Sequence, residues 1–140
     1  MKRQVLLDTG PLVAVLNRRD DYHGWASEQW ARIEPPLLTC EAVLSEACFL
    51  LQSAPGGPGA VMELIQRGII DPAFHLADHR KPVARLIAKY ASVPMSLADA
   101  CLVRMSELHS ESAVLTLDRD FRLYRKHGRH VVPAMMPDDR

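Results

Sequence analysis

Short apolar strands alternating with amphipathic helices predict an α/β fold in which a short parallel sheet is covered by helices on both faces. Val5-Leu6-Leu7 and Ala113-Val114-Leu115-Thr116-Leu117 are compact apolar runs, each stopped by an aspartate, Asp8 and Asp118. Between them lie segments with three- and four-residue apolar spacing, such as Tyr22, Trp25, Ala26, Trp30 and Ile33, which predict a helix with one buried face. Ligands of parallel sheets bind beyond the carboxyl ends of the strands, so both aspartates stand where a site belongs. The 140 residues are expected to form one domain, with 133–140 a frayed tail.

The first strand turns at Thr9-Gly10-Pro11 into a helix carrying Leu12, Val13, Val15 and Leu16, with proline at its opening position. The aromatic helix is expected to start near Asp20-Asp21 and to end before Pro35-Pro36. Leu37-Leu38-Thr39 reads as a second strand, and a helix over about 41–52 follows. Val43, Glu46, Ala47, Leu50 and Leu51 share its broad face, so Glu46 is expected on the inward stripe. The Pro- and Gly-rich stretch 53–59 reads as a connector, followed by a helix near 60–67 and a strand near 73–76. Asp78 is placed to cap a helix with Val83, Leu86, Ile87 and Tyr90 on one stripe, and Ser96 to open another reaching about residue 109. After Asp118 a short helical turn leads to a last strand at His130-Val131-Val132.

Composition narrows the function classes. Hydrophobic residues at 48% and charged residues at 24% are those of an ordinary soluble globular protein. No apolar stretch approaches the roughly 20 residues needed to span a bilayer. The first apolar run is too short for a secretory signal, so a cytoplasmic protein is expected. Cys40, Cys48 and Cys101 lack a Cys-x-x-Cys spacing and the histidines are scattered, so a zinc site is not expected and the cysteines read as small buried hydrophobes. Zero net charge argues against indiscriminate polyanion binding. Locally, however, Arg119, Arg122, Arg125, Lys126 and Arg129 face only Asp120 within 119–130. That surplus fits a solvated helix face and a phosphate-contacting patch equally well.

Four acids stand among apolar or small neighbours: Asp8, Glu46, Asp99 and Asp118. Asp8 has an alternative role as a helix cap, although Thr9 is available for it. Ser96 and Asp99 match the capping box. Asp118 has the alternative of an ordinary turn aspartate. Glu46 has no such local role, and Glu41 falls at a helix start, where negative charge is favoured anyway. Two ionised carboxylates ~4 Å apart repel by about 4 kcal/mol at an effective dielectric of about 20. A fold that assembles several of them is expected to hold a hard divalent cation, Mg²⁺ or Mn²⁺.

Leu7-Asp8-Thr9-Gly10-Pro11-Leu12-Val13-Ala14, Val43-Leu44-Ser45-Glu46-Ala47, Leu97-Ala98-Asp99-Ala100-Cys101-Leu102-Val103 and Leu115-Thr116-Leu117-Asp118-Arg119-Asp120-Phe121 resemble, in order and spacing, the motifs of the PIN-domain ribonucleases. The likeness is nearest to the toxins of VapBC toxin–antitoxin modules and covers residues of about 4–132. The resemblance implies a three-layer α/β/α sandwich and endonucleolytic cleavage of RNA with Mg²⁺ or Mn²⁺. By position it assigns Asp8, Glu46, Asp99 and Asp118 to the acidic quartet, with Asp120 as a fifth ligand and Thr116 as the small hydroxyl residue beside the pocket. Arg119, Arg122 and Arg125 become candidates for RNA phosphate contacts. A cognate antitoxin and a homodimer are implied as partners. The alternatives are a non-catalytic RNA- or protein-binding module on the same fold, and a phosphohydrolase of small phosphoesters. The latter lacks an Asp-x-Asp motif after the first strand and a Gly-rich phosphate loop.

Overall fold

The computed structural model describes residues 3–138. Met1 and Lys2, and Asp139 and Arg140 of the expected tail, lie outside the described residues. Along the chain run β1 (Gln4–Leu7), α1 (Thr9–Leu16), α2 (His23–Arg32), β2 (Leu37–Leu38), α3 (Glu41–Leu50), α4 (Gly57–Gln66) and β3 (Ile70–Asp71). There follow α5 (Arg80–Lys89), α6 (Leu97–Leu108), β4 (Ser112–Leu115), β5 (Arg125–Lys126), β6 (His130–Val131) and β7 (Ala134–Met135), with 3₁₀ turns at Leu76–His79 and Arg119–Arg122.

The main sheet has the order β3-β2-β1-β4-β7, and each of its pairings is parallel. Its central strands are buried along their apolar runs, Val5 to Leu7 and Ser112 to Leu115, as expected of strands covered on both faces. From β1 the chain steps outward to β2 and β3, then returns across β1 to β4. Right-handed crossovers therefore place α1–α4 on one face and α5 and α6 on the other. The helix contacts agree: α1 meets α2 and α3, α3 meets α4, and α5 meets α6. Leu6, Leu7, Leu12, Leu37, Ile70, Leu102, Leu115 and Phe121 are buried in the core between these layers. Burying each such side chain stabilises the fold by about 1.5–3 kcal/mol.

Several boundaries differ from expectation, each for a local reason. The third strand is Ile70–Asp71, paired as Leu37↔Ile70, and not 73–76. Pro72 has no N–H with which to continue the ladder, and Phe74 is buried in the core without a strand around it. Part of the 53–59 connector is helical, because Gly56 takes a φ of 85° as the cap of α4 and Pro58 suits the first turn. Asp78 does not cap α5; it lies inside the 3₁₀ turn, and His79 holds the cap position without a side-chain bond. Tyr22 precedes α2 and is exposed, while Ala26 is buried and Trp25, Trp30 and Ile33 are half-buried against the core.

The end of the chain is the largest correction. His130 and Val131 belong to a separate antiparallel pair with Arg125 and Lys126. The last strand of the main sheet is instead Ala134–Met135, in register Val114↔Ala134 and Leu115↔Met135. A tail expected to fray thus covers the open edge of β4, through bonds from the Val114 amide to the Pro133 carbonyl (2.9 Å) and from the Thr116 amide to the Met135 carbonyl (3.1 Å). Among the described residues no helix is long and apolar enough to cross a membrane.

Candidate active site

Strand order reverses between β1 and β4, which opens a crevice at their carboxyl ends. The register Leu7↔Leu115 sets the next residues, Asp8 and Thr116, side by side. The Asp8 amide donates to the Leu115 carbonyl at 3.0 Å. The Thr116 hydroxyl donates to Asp8 Oδ2 at 2.6 Å. Asp8 Oδ1 accepts from the Thr9 amide at 2.7 Å, so Asp8 itself occupies the cap position of α1. The expectation that Thr9 would serve there is corrected. Thr9 Oγ1 is buried and has no hydrogen-bond partner among the described residues.

The turn after β4 is shaped by its own side chains. Thr116 Oγ1 accepts from the Asp118 amide at 2.9 Å, and Asp118 Oδ1 accepts from the Asp120 amide at 2.9 Å. These bonds draw Asp118 and Asp120 back towards the end of β1.

Asp99 is buried in the first turn of α6, where the helix N-terminus favours negative charge. Its amide donates to Ser96 Oγ at 3.0 Å, so the capping reading holds. Its carboxylate is held by Ser96 and also accepts from the Tyr124 hydroxyl, which donates to Asp99 Oδ2 at 2.8 Å. Tyr124 is fully buried, with its ring edge-on to Tyr90 and Phe121. In the sequence the pair Tyr124-Arg125 after the last motif belongs to the family resemblance, but no spacing ties the tyrosine's hydroxyl to Asp99. Its hydroxyl makes it a polar group needing a buried partner.

Glu46 corrects the helical-face expectation. It is exposed and not on a buried stripe, yet it lies on the wall of the same crevice. Contact between α3 and α6 brings that wall within reach of Asp99. The crevice holds a cavity of about 450 Å³ whose lining includes Asp8, Glu46, Asp99, Asp118 and Asp120 and, among the described residues, no lysine or arginine. Four stretches far apart in the chain therefore meet in one acidic space. Arg119 and Arg122 are on the adjoining 3₁₀ turn, whereas Arg125 lies against a different cavity.

Burial is the main reason that the Asp8 carboxyl is pushed up to about 7, with the charges of Asp99 and Asp118 adding to it and the Thr116 and Thr9 bonds opposing it. Asp99 is raised for the same first reason, against the Tyr124 bond and with Asp118 adding. Burial and the Asp99 carboxylate in turn hold the Tyr124 hydroxyl in its neutral, donating form. Among the described residues no three His, Cys, Asp or Glu side chains stand in a geometry that could hold a metal ion. The crevice is thus a carboxylate-walled cavity and not a closed coordination shell. The donor set nevertheless suits a hard cation. Mg²⁺ keeps several of its waters and needs only about one or two direct carboxylates. A cation would also relieve the repulsion that raises Asp8 and Asp99.

A model of the PIN domain matches residues 5–127. The chain belongs to the PIN-domain family. Its fold is similar to the crystal structure of Mycobacterium tuberculosis VapC20, a sarcin-ricin loop cleaving toxin, with a TM-score of 0.72 and 22% identity over 84% of this chain and 92% of that one. No curated protein matches the chain. As a member of the PIN family, it places the acids of the resemblance motifs around one cavity at the switch point of its sheet.

Proposed function

We propose that this PIN-domain protein is a Mg²⁺- or Mn²⁺-dependent endoribonuclease that hydrolyses RNA phosphodiester bonds as the toxin of a VapBC-type pair. The observation that carries the reading is the Asp8–Thr116 bond across β1 and β4, with Asp99, Asp118, Asp120 and Glu46 on the walls of the same cavity. The fold shared with a toxin that cleaves the sarcin-ricin loop supports RNA as the substrate class.

Asp8 and Asp99 would be the principal metal donors, and Glu46, Asp118 and Asp120 would complete the set directly or through water. A bound divalent ion supplies Lewis-acid polarisation of the phosphate and a nucleophile at neutral pH. The chain's own contribution is orientation. Thr116 and the Thr9 amide fix both oxygens of Asp8, and Tyr124 fixes Asp99, so neither carboxylate has to be ordered when the ion arrives. Arg119 and Arg122, close in sequence to Asp118, would hold phosphates flanking the scissile bond. A cognate antitoxin and a homodimeric state, both by resemblance, complete the proposal together with a cytoplasmic location.

The test is cleavage of a single-stranded RNA by the purified protein, with Mg²⁺ and with EDTA. Cleavage is expected with the metal only, and Asp99→Asn is expected to reduce it by about 10²-fold or more, in line with the loss of a ligand or its orientation. Full activity in EDTA, or in Asp99→Asn, would overturn the reading. Binding of RNA without cleavage under any metal would favour the non-catalytic module instead.

A further inference from the structure

We propose that a second cavity, walled by α5, α6 and the β5–β6 hairpin, seats a phosphate-bearing nucleotide of the single-stranded RNA substrate away from the scissile bond. This inference rests on the ribonuclease reading above. The cavity is about 380 Å³, and Arg85, Lys89, Arg104 and Arg125 line it together with the apolar Pro82 and Leu86.

The cations there are unequally neutralised. Glu107 also lines the cavity, and both its oxygens are engaged: Oε1 by Arg104 Nη1 at 3.1 Å and Oε2 by the His127 amide at 2.7 Å. Arg104 is therefore paired, and its Nε meets His79 Nδ1 at 3.1 Å. Among the described residues Lys89 and Arg125 hydrogen-bond only to backbone carbonyls, Lys89 Nζ to Gly128 (3.2 Å) and Arg125 Nη1 to Arg122 (2.8 Å) and Tyr124 (2.9 Å), and Lys89 Nζ also lies 5.3 Å from the centroid of the Tyr90 ring. Such bonds orient the cationic heads without cancelling their charge. Arg85 makes no hydrogen bond or ion pair among the described residues. Three uncompensated cations thus converge in a chain whose formal net charge is zero.

An acidic cavity repels the polyanion it is proposed to cut, so the attraction that holds the substrate has to come from elsewhere on the surface. The basic cavity shares α6 with the acidic one, which takes Asp99 from the first turn of that helix, while Arg104 and Glu107 come from its second half. Arg125 follows Tyr124, whose hydroxyl bonds Asp99, and the Arg125 amide donates to the Tyr90 hydroxyl at 2.9 Å. The volume lies at the lower end of the range for ligand sites, about 300–1,000 Å³, which suits one nucleotide. Arg85, Lys89 and Arg125 would contact the phosphate, with Pro82 and Leu86 as a floor for the sugar or base.

The experiment uses the full chain carrying Asp8→Asn, so that binding is measured without cleavage. Affinity for a fluorescent single-stranded RNA is read by anisotropy across a salt series, with Arg85→Ala and Lys89→Ala singly and together, and with Lys81→Ala as a control outside the cavity. The double variant should bind about tenfold or more weakly, and the slope of log affinity against log salt should fall by about 0.7 for each phosphate no longer neutralised. In the active protein the same double variant should raise KM and leave kcat in place. Unchanged affinity and slope would overturn the proposal, as would a loss equal to that of Lys81→Ala. So would a double variant that loses binding to poly-glutamate but keeps RNA, which would mark the cavity as a site for acidic protein. A wild type that cuts RNA while the cavity variants bind normally leaves the ribonuclease reading standing and removes only this one.

Discussion

Replacing Asp8 by asparagine separates the energetic cost of charge at this position from its use. Asp8 is only 6% exposed, and its carboxyl is pushed from 3.8 to about 7, chiefly by burial. Between those values the folded protein holds a proton that the unfolded chain has released. Metal-free stability should therefore fall as pH rises from about 4 through about 7. At about 1.4 kcal/mol per tenfold change in proton affinity, the whole displacement corresponds to at most roughly 4 kcal/mol at pH of about 8. Asparagine carries no charge and keeps an acceptor for the Thr9 amide. Its Nδ2 facing Thr116 Oγ1 would leave the Thr116 hydroxyl proton without the acceptor it has in Asp8 Oδ2, so about 1 kcal/mol of hydrogen bonding is lost. In EDTA at pH of about 8 the variant should gain about 1–3 kcal/mol over the wild type, a rise of roughly 3–10 °C in Tm. That margin should narrow towards pH of about 4, where the wild-type carboxyl is neutral in the folded state and half-neutral in the unfolded chain. Mg²⁺ should raise the wild-type Tm by more than that of the variant, because the variant has lost one of the two principal charged donors. Differential scanning fluorimetry over a pH series, with and without Mg²⁺, reads all of this, and the difference between the proteins cancels titrations they share. A variant whose metal-free Tm lies below the wild type by the same margin at every pH would refute the reasoning.

Two further substitutions probe the groups that orient the acids. Thr116→Val removes the 2.6 Å bond to Asp8 and leaves the Asp118 amide without its acceptor, so it should destabilise the protein by about 1–3 kcal/mol, read by urea unfolding, and lower RNA cleavage. Thr116→Ser should retain both properties, and equal loss in the two variants would show that the methyl packing matters and the hydroxyl does not. Tyr124→Phe keeps the ring against Tyr90 and Phe121 but removes the donor to Asp99. It should cost about 1.5–3 kcal/mol if Asp99 is ionised, and raise the Mg²⁺ concentration needed for half-maximal cleavage by about tenfold. An unchanged metal requirement would show that Tyr124 serves packing alone.

The positions of Asp8, Asp118 and Asp99 are readable because each follows a local signal. Two stand just beyond apolar strands, and one lies three residues past a serine cap. Local signals are weaker where the outcome depends on neighbours. Helical periodicity places Glu46 on a stripe with Val43 and Ala47. It does not reveal that the stripe runs out at the mouth of a crevice, where Glu46 is exposed while Ala47 is buried. The two residues of β7, framed by Pro133 and Pro137, are too few to show a period. They become a strand only because β4 offers an unpaired edge. Tyr124 carries no spacing that ties it to Asp99, and Arg125 carries none that turns it from the acidic cavity to the basic one.

The amino-acid sequence by itself determined the α/β class, the parallel sheet and the acids at the ends of its elements, since apolar periodicity and chain breakers act over a few residues. The tertiary structure decided which groups share a space. Strand order set Asp8 beside Thr116 across a separation of 108 residues, and it put Tyr124 against Asp99. Distances, burial and hence the energy of each charge arise from pairings between remote segments, and no local pattern encodes them.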